Sequence, residues 1–416
     1  MKKTVEDILI QILLGVLIGL LCGPTIAAFL FCLDKVTSLR SANPSITYLL
    51  PLAGIVIGLF YGKWGERAVK GNNLVLSVIH DGDEDLPKRM GPMVFLATTA
   101  AHLFGASVGR EGAAVQIGAV LASLTAPAMK IGNDTKKILI MAGVAGGFAA
   151  AFGTPLAGAV FALEVSHIRK YQLKALPAIL PAAFVGDFIS RSLFKPGDLP
   201  ALTFPAWSLM LILKLVVFSF AIAAFCILFI ETVHLIKDHL GVYFKRMSVM
   251  MFVGGIATLG LWLAFGTNIY LGLGASTINM ALTGVNVPWD AFLIKLAFTS
   301  VALGSGFIGG EVTPLFFMGS TMGNVSGKLL RTSPSFTAGI GLAALFAAAS
   351  NAPLAMSVLT AELFGLKIFP FALLVCFLSA ILSGEKRGIY LTQRVFHHGK
   401  NDWITIEELR EIKDNY

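Results

Sequence analysis

Two stretches decide the fold: GREGAAVQIG at 109–118 and GGEVTPLFFMG at 309–319, which place Glu111 and Glu311 200 residues apart in otherwise uncharged sequence. Each glutamate divides an apolar region: runs 90–109 and 112–129 flank Arg110 and Glu111, and runs 296–310 and 312–327 flank Glu311. A bilayer-spanning helix needs roughly 20 apolar residues, so such pieces, parted by a charge and glycines, read as helices broken at depth. Irregular backbone is tolerated there only against protein or a water-filled cavity. Paired broken helices are a common frame for a transported-ion site.

Further along, AAAFGTPLAGAVFALE (149–164) answers AAASNAPLAMSVLTAE (347–362) at an offset of 198, and Gly71-Asn72-Asn73-Leu74 weakly echoes Gly274-Ala275-Ser276-Thr277. Three matches in order at nearly constant offset predict a tandem duplication, with repeats of roughly 40–200 and 210–390. An odd number of spans in each repeat would invert one against the other.

Composition agrees with membrane burial. The 416 residues are 56% hydrophobic and 13% charged, with a mean hydropathy of +0.79, whereas soluble domains carry about 25% charged residues. An ordinary soluble enzyme is excluded, and residues 1–416 are expected to form a single transmembrane domain in a lipid bilayer. The surplus of 32 Lys+Arg over 24 Asp+Glu reports topology rather than a nucleic-acid partner. Lys2 and Lys3 predict a cytoplasmic N-terminus, and run 8–33 is too long for a signal-peptide core. Residues 397–416 read as a short polar tail. Cys22, Cys32, Cys226 and Cys376 sit in apolar runs without a CxxC pair and read as core residues. The acidic group Asp81, Asp83, Glu84 and Asp85 lacks the glycine and glutamate a calcium loop needs. The histidines, His398 of the tail included, show no ligand spacing, so no metal and no cofactor are expected.

The chemistry centres on Glu111. A carboxylate at mid-bilayer costs on the order of 2.5–3.5 kcal/mol, and a helix N-terminus returns only about 0.3–1 kcal/mol, or ~2 in a favourable site. The glutamate must then be protonated part of the time, paired, or wet. Gly105, Gly109 and Gly112 let backbone N–H groups converge, as they do where proteins cradle anions. A carboxylate held there competes with a mobile anion for the same donors, and protonation releases it. Pairing with Arg110 at a helix break is the structural alternative. Glu311, ahead of Val312-Thr313-Pro314, could be a capping carboxylate, but its repeat relationship to Glu111 points to function. Glu164 and Glu362 read as structural.

These motifs, with Tyr390 after the last apolar run, resemble those of the CLC family of anion channels and proton-coupled antiporters, in family order from about residue 65 to 395. The resemblance implies an all-α integral membrane protein with an inverted-repeat CLC fold of many tilted, partly broken helices. It also implies a homodimer and a multi-pass location in the bacterial plasma membrane with both termini cytoplasmic. Glu111 matches the gating glutamate, with Ala113 replacing the motif's proline, and Tyr390 matches the anion-facing tyrosine. Chloride-handling members carry G-S-G-I-P where this chain has Gly71-Asn72-Asn73-Leu74-Val75, and an apolar residue where Glu311 stands. Val312 occupies the family's phenylalanine position, and Val165 stands where many antiporters keep an inner glutamate. These departures are similar to the bacterial fluoride/proton antiporter branch.

The expected function is therefore fluoride export in exchange for protons. Glu111 and Glu311 handle the coupling, and Asn72, Gly109, Arg110, Gly112, Val312, Thr313 and Tyr390 bind the anion. Asn72 offers a two-donor amide where serine offers one hydroxyl, which suits a small, strongly hydrated ion. A conventional chloride/proton antiporter or chloride channel is the alternative. An intramembrane protease or ATP-driven pump is disfavoured: there is no HExxH, and Gly323–Lys328 lacks Walker spacing.

Overall fold

The computed structural model describes residues 2–81, 85–129, 131–195, 197, 199–397 and 401–414; Asp83, Glu84 and His398 lie outside the described residues. Eight helices come first: α1 (Lys2–Ala42), α2 (Leu50–Trp64), α3 (Asn72–Asp81), α4 (Met90–Phe104), α5 (Glu111–Ala128), α6 (Asn133–Phe152), α7 (Pro155–Glu164) and α8 (Leu176–Leu193). Eight more follow in the same order of long and short: α9 (Leu209–Tyr243), α10 (Met247–Phe265), α11 (Ala275–Leu282), α12 (Ala291–Gly304), α13 (Val312–Leu329), α14 (Pro334–Ser350), α15 (Pro353–Phe364) and α16 (Phe369–Ser383). The first set begins at Lys2, well before the expected boundary near 40. Its leading helix corresponds in order to α9, and neither carries a motif of the repeat, so only the helix succession shows the match.

Among the described residues, seven helical segments are long and apolar enough to cross a membrane. The others are short because glycine and proline cut them. α4 stops at a left-handed Gly105 and α6 at a left-handed Gly153, while Pro155 and Pro353 open α7 and α15 at their first turns. Small residues then let helices pack closely where lipid provides no hydrophobic drive. A Cβ on Gly118 or Gly143 would run into the other's carbonyl oxygen across α5 and α6, and Gly319 and Gly341 stand in the same relation across α13 and α14.

The two sets close each other's helices. The Glu164 carboxylate, at the end of α7, accepts from the N–H groups of Leu354 (3.1 Å) and Ala355 (2.8 Å) at the start of α15. Glu362, on α15, accepts from Leu156 (2.9 Å) and Ala157 (2.7 Å) at the start of α7. Such reciprocity is that of a two-fold relation. Each carboxylate satisfies two of the four N–H groups a helix start leaves open and meets the positive end of its dipole. Their structural reading from sequence agrees with these contacts.

The tail differs from its sequence reading as a short polar segment. Arg394–His397 (β1) pairs antiparallel with Asp402–Thr405 (β2), and α17 (Ile406–Asp414) follows. Val395, Ile404, Ile406 and Leu409 bury a small apolar cluster against Ile168. Only alternate strand residues face inward, which makes the segment look polar overall.

Candidate functional site

The site is built where two non-helical connections meet. Residues 105–110 join α4 to α5, residues 305–311 join α12 to α13, and both carry glycine where the chains touch. Gly109 and Gly310 form an antiparallel bridge: the Gly310 N–H donates to Gly109 O (2.7 Å), and the Gly109 N–H donates to Gly310 O. The starts of α5 and α13 are thereby brought together with their glutamates. A side chain at Gly112 would lie 3.0 Å from Asn72 Nδ2 and 3.1 Å from Gly310 Cα, so glycine is needed there for close approach.

Glu111, 2% exposed, is tied down from both halves. Its Oε2 accepts from the Thr313 hydroxyl of α13 and from the backbone N–H of Arg110 at 3.2 Å. Its Oε1 accepts from Arg110 Nε at 3.3 Å. Hydrogen bonds to an ionised group are about twice as strong as neutral ones, and this carboxylate receives them where a mobile anion would find the same donors. Pairing with Arg110, the structural alternative raised by the sequence, is thus present: Arg110 supplies two of the three donors and Thr313 the third.

Glu311 is buried but differently served. Its side chain makes no cap hydrogen bond to α13, and its Oε1 has no donor among the described residues. Its Oε2 lies 3.8 Å from the point a Gly112 Cβ would occupy, on the same side as the Asn72 amide. The Tyr390 hydroxyl sits beside the Glu311 carboxylate. Asn72 Oδ1 is likewise buried without a donor. A cavity opens next to this group, lined by Asn72, Val75, Leu76, Val115, Val144, Phe161, Val165 and Tyr390. Among the described residues lining it, Asn72 and Tyr390 alone carry polar groups, but the surface they turn to the cavity is apolar, and Val165 presents no acid to it.

Eight of the nine residues singled out by sequence therefore fall into two neighbouring groups: Gly109, Arg110, Glu111 and Thr313 at the bridge, and Asn72, Gly112, Glu311 and Tyr390 beside the cavity. Two of the nine stand apart from these contacts in this conformation. The Gly109 N–H is engaged by Gly310 O, so in this conformation Gly109 holds the bridge instead of offering a donor to an anion. Val312 is buried (2% exposed) and is not among the cavity's lining residues.

Sequence reading missed two buried cations next to the α4–α5 connection. Lys295, fully buried, donates to Tyr270 O (3.0 Å) and Gly272 O (2.6 Å). Arg40 donates to His102 O near the C-terminal end of α4, where helix carbonyls favour positive charge. In the sequence they merely punctuate apolar runs, as any topology-setting lysine or arginine does. Asn73, Thr392 and Gln393 were missed too: nothing in their local pattern signals that they reach the site.

Comparison with known proteins agrees with this architecture. The family model described as voltage gated chloride channel matches residues 53–384. A "Chloride/fluoride channel protein" of Pseudomonas syringae pv. tomato is 40% identical over 412 residues, covering 95% of this chain and 88% of that protein. An "H(+)/Cl(-) exchange transporter ClcA" of Vibrio parahaemolyticus is 26% identical over 346 residues, 78% of this chain and 73% of that one. Among solved structures, a CLC-type fluoride/proton antiporter superposes with a TM-score of 0.90 at 31% identity, covering 94% of this chain and 99% of that chain. A slow cyanobacterial Cl−/H+ antiporter shares the fold at a TM-score of 0.78 and 18% identity, covering 91% and 95%. With its broken helices, paired glycine connections and multiple membrane-spanning segments, the chain is a multi-pass membrane protein of the CLC, or voltage-gated chloride channel, family.

Proposed function

We propose that this protein exchanges fluoride for protons across the membrane, with Glu111 as the proton-coupled gate. The observation that carries the reading is the seat of the Glu111 carboxylate. It occupies the junction of the α5 and α13 starts and takes hydrogen bonds from Arg110 N–H, Arg110 Nε and the Thr313 hydroxyl. A proton delivered to Glu111 removes the charge those donors prefer, the side chain withdraws, and an anion takes the place. Proton transfer by a positioned carboxyl group typically contributes about 10²–10⁴ in rate.

Fluoride rather than chloride is supported by the residue types beside the cavity: Asn72 and Tyr390 border it and carry an amide and a hydroxyl, and a small, strongly hydrated anion needs donors that approach closely to replace its water. Val165 at the cavity wall leaves proton delivery to Glu111 itself, assisted by Glu311, whose Oε1 has no donor among the described residues and can take a proton or an O–H donor. The similarity to the Pseudomonas chloride/fluoride channel protein and to the fluoride/proton antiporter structure favours the same reading. Chloride/proton exchange is the second reading, favoured by the similarity to the Vibrio exchanger.

The protein is read as a homodimer in the bacterial plasma membrane with cytoplasmic termini, built as one transmembrane domain of two inverted repeats. Exposed Phe184, Phe188 and Leu193 on α8 face lipid or a second copy in that arrangement. The test is reconstitution in liposomes, following fluoride, chloride and protons together. Fluoride efflux driving proton uptake, and far exceeding chloride efflux, is expected. Fluoride efflux that ignores an imposed pH gradient overturns exchange, and chloride efflux equal to fluoride efflux favours the second reading.

A further inference from the structure

Gln116, the last polar residue of the 109–118 stretch, lies on α5 one turn beyond Gly112. Residues four apart share a helix face, so the side of α5 that carries Gly112 carries Gln116 as well. That side meets the start of α3. The point a Gly112 Cβ would occupy is 3.0 Å from Asn72 Nδ2, and the point a Gly71 Cβ would occupy is 3.3 Å from Gln116 Nε2. Gly71 has a left-handed backbone (φ 55°), and as a glycine it puts no side chain between the α3 start and the Gln116 amide. Both sides of this contact lack partners. Gln116 is 7% exposed, yet its amide makes no hydrogen bond among the described residues, where a polar side chain so deep ordinarily makes one. The N–H groups of Asn72 and Asn73, the first of α3, also find no acceptor there, as the opening turn of a helix leaves them. The Asn73 side chain is committed elsewhere, its Oδ1 accepting from the Thr392 N–H at 3.2 Å. Gly71, Asn72 and Asn73 are half-buried, so water and its solutes reach this end of α3.

We propose that Gln116 is a further anion-binding residue: its side-chain amide donates to a halide held by the first N–H groups of α3, in a seat separate from the one Glu111 occupies. The inference rests on the reading that this chain transports a halide. Unpartnered N–H groups at the positive end of a ten-residue helix favour an anion, and the Gln116 amide adds side-chain donors to them. A halide that leaves water must have its lost hydrogen bonds replaced, and a small one needs them from several directions. The backbone of α3 supplies one direction and α5 the other. Among the α5 residues around it, Ala113, Ala114, Val115 and Ile117 carry no donor in their side chains, so Gln116 alone gives α5 a donor at this contact.

The experiment measures initial fluoride and chloride efflux against halide concentration from liposomes carrying the wild-type protein, Gln116→Met or Gln116→Glu, each first checked for a monodisperse, thermally stable protein. Met keeps the length of the side chain without a donor; Glu keeps its shape but offers only acceptors and a charge. In Gln116→Met the half-saturating fluoride concentration should rise roughly tenfold, the scale of one hydrogen bond to a charged group, with the maximal rate little changed. Gln116→Glu should raise it at least as far, because its carboxylate repels the halide. If Gln116→Met does not fold, the closer mimic Gln116→Glu carries the test. A half-saturating concentration unchanged in folded variants overturns the proposal. So does a lower maximal rate without that shift, which marks a residue that only packs or bonds an ordered water. If the wild-type protein passes chloride and no fluoride, the fluoride reading fails on its own, and the half-saturating chloride concentration of the same variants still tests Gln116.

Discussion

The two glycine connections, 105–110 and 305–311, each turn at a left-handed glycine, Gly105 and Gly306, and treat their glutamates in opposite ways. Glu111 receives three hydrogen bonds, from Arg110 N–H, Arg110 Nε and Thr313. Glu311, also buried, leaves one oxygen without a donor among the described residues and has the Tyr390 hydroxyl beside it. Repetition supplied two equivalent places, and the side chains around each made one a closed seat and the other an open one. The closed seat suits a group that must be displaced by its own neutralisation. The open seat suits a group that takes up what the first releases.

The largest effect that would break this comparison is expected at the closed seat. Glu111→Gln keeps the shape and an acceptor oxygen but cannot titrate; fluoride-driven proton uptake in liposomes should fall by roughly a hundredfold or more, the scale of a positioned proton-transfer group. Glu311→Gln should be milder, slowing coupled transport about tenfold, since the open seat assists rather than gates (the residual barrier change is ~1.4 kcal/mol). Proton uptake lost equally in both variants would erase the distinction between the seats. A smaller effect sharpens it: Thr313→Val removes one hydrogen bond from Glu111, worth about 1 kcal/mol. Because the anion that replaces the carboxylate meets the same hydroxyl, fluoride efflux should fall several-fold at the same pH gradient, read from initial rates.

The smallest expected effect is on stability alone. Glu164→Gln and Glu362→Gln keep an acceptor at each helix start but remove the charge. Each should lower the thermal midpoint of the purified protein by a few degrees, in line with about 0.3–1 kcal/mol for a charge at a helix terminus. Glu164, at 3% exposure and with an added bond from the Tyr171 hydroxyl at 3.2 Å, should lose more than Glu362, which is less buried. Equal losses would mean that burial does not separate them.

Much of this was legible from the chain because the informative residues break a rule. Charges inside apolar runs are rare, so Glu111 and Glu311 stood out, and glycines beside them marked the helix breaks that the structure places at 105–110 and 305–311. The repeat was visible in the same residues, though not its beginning: α1 and α9 are plain apolar helices whose correspondence lies in order and length. What could not be read was which donors reach which acceptors across the fold. Gly109 looked like a free backbone donor and is bonded to Gly310. Val312 shared a motif with the site but points into apolar packing. Asn73, Thr392 and Gln393 obey local polarity rules and become meaningful only when residues more than 300 positions apart are brought together, as the Asn73–Thr392 bond does.

The exchanged carboxylates of Glu164 and Glu362 carry a consequence for how the chain could be cut or have arisen. Each supplies the cap that the other set's short helix needs at its start, so a fragment of residues 2–200 expressed by itself would keep its own acid and leave α7 with an uncapped end inside the membrane. Co-expressed fragments split near 200 should assemble, whereas two copies of one fragment can do so only if a self-complementary ancestor's geometry survives in it.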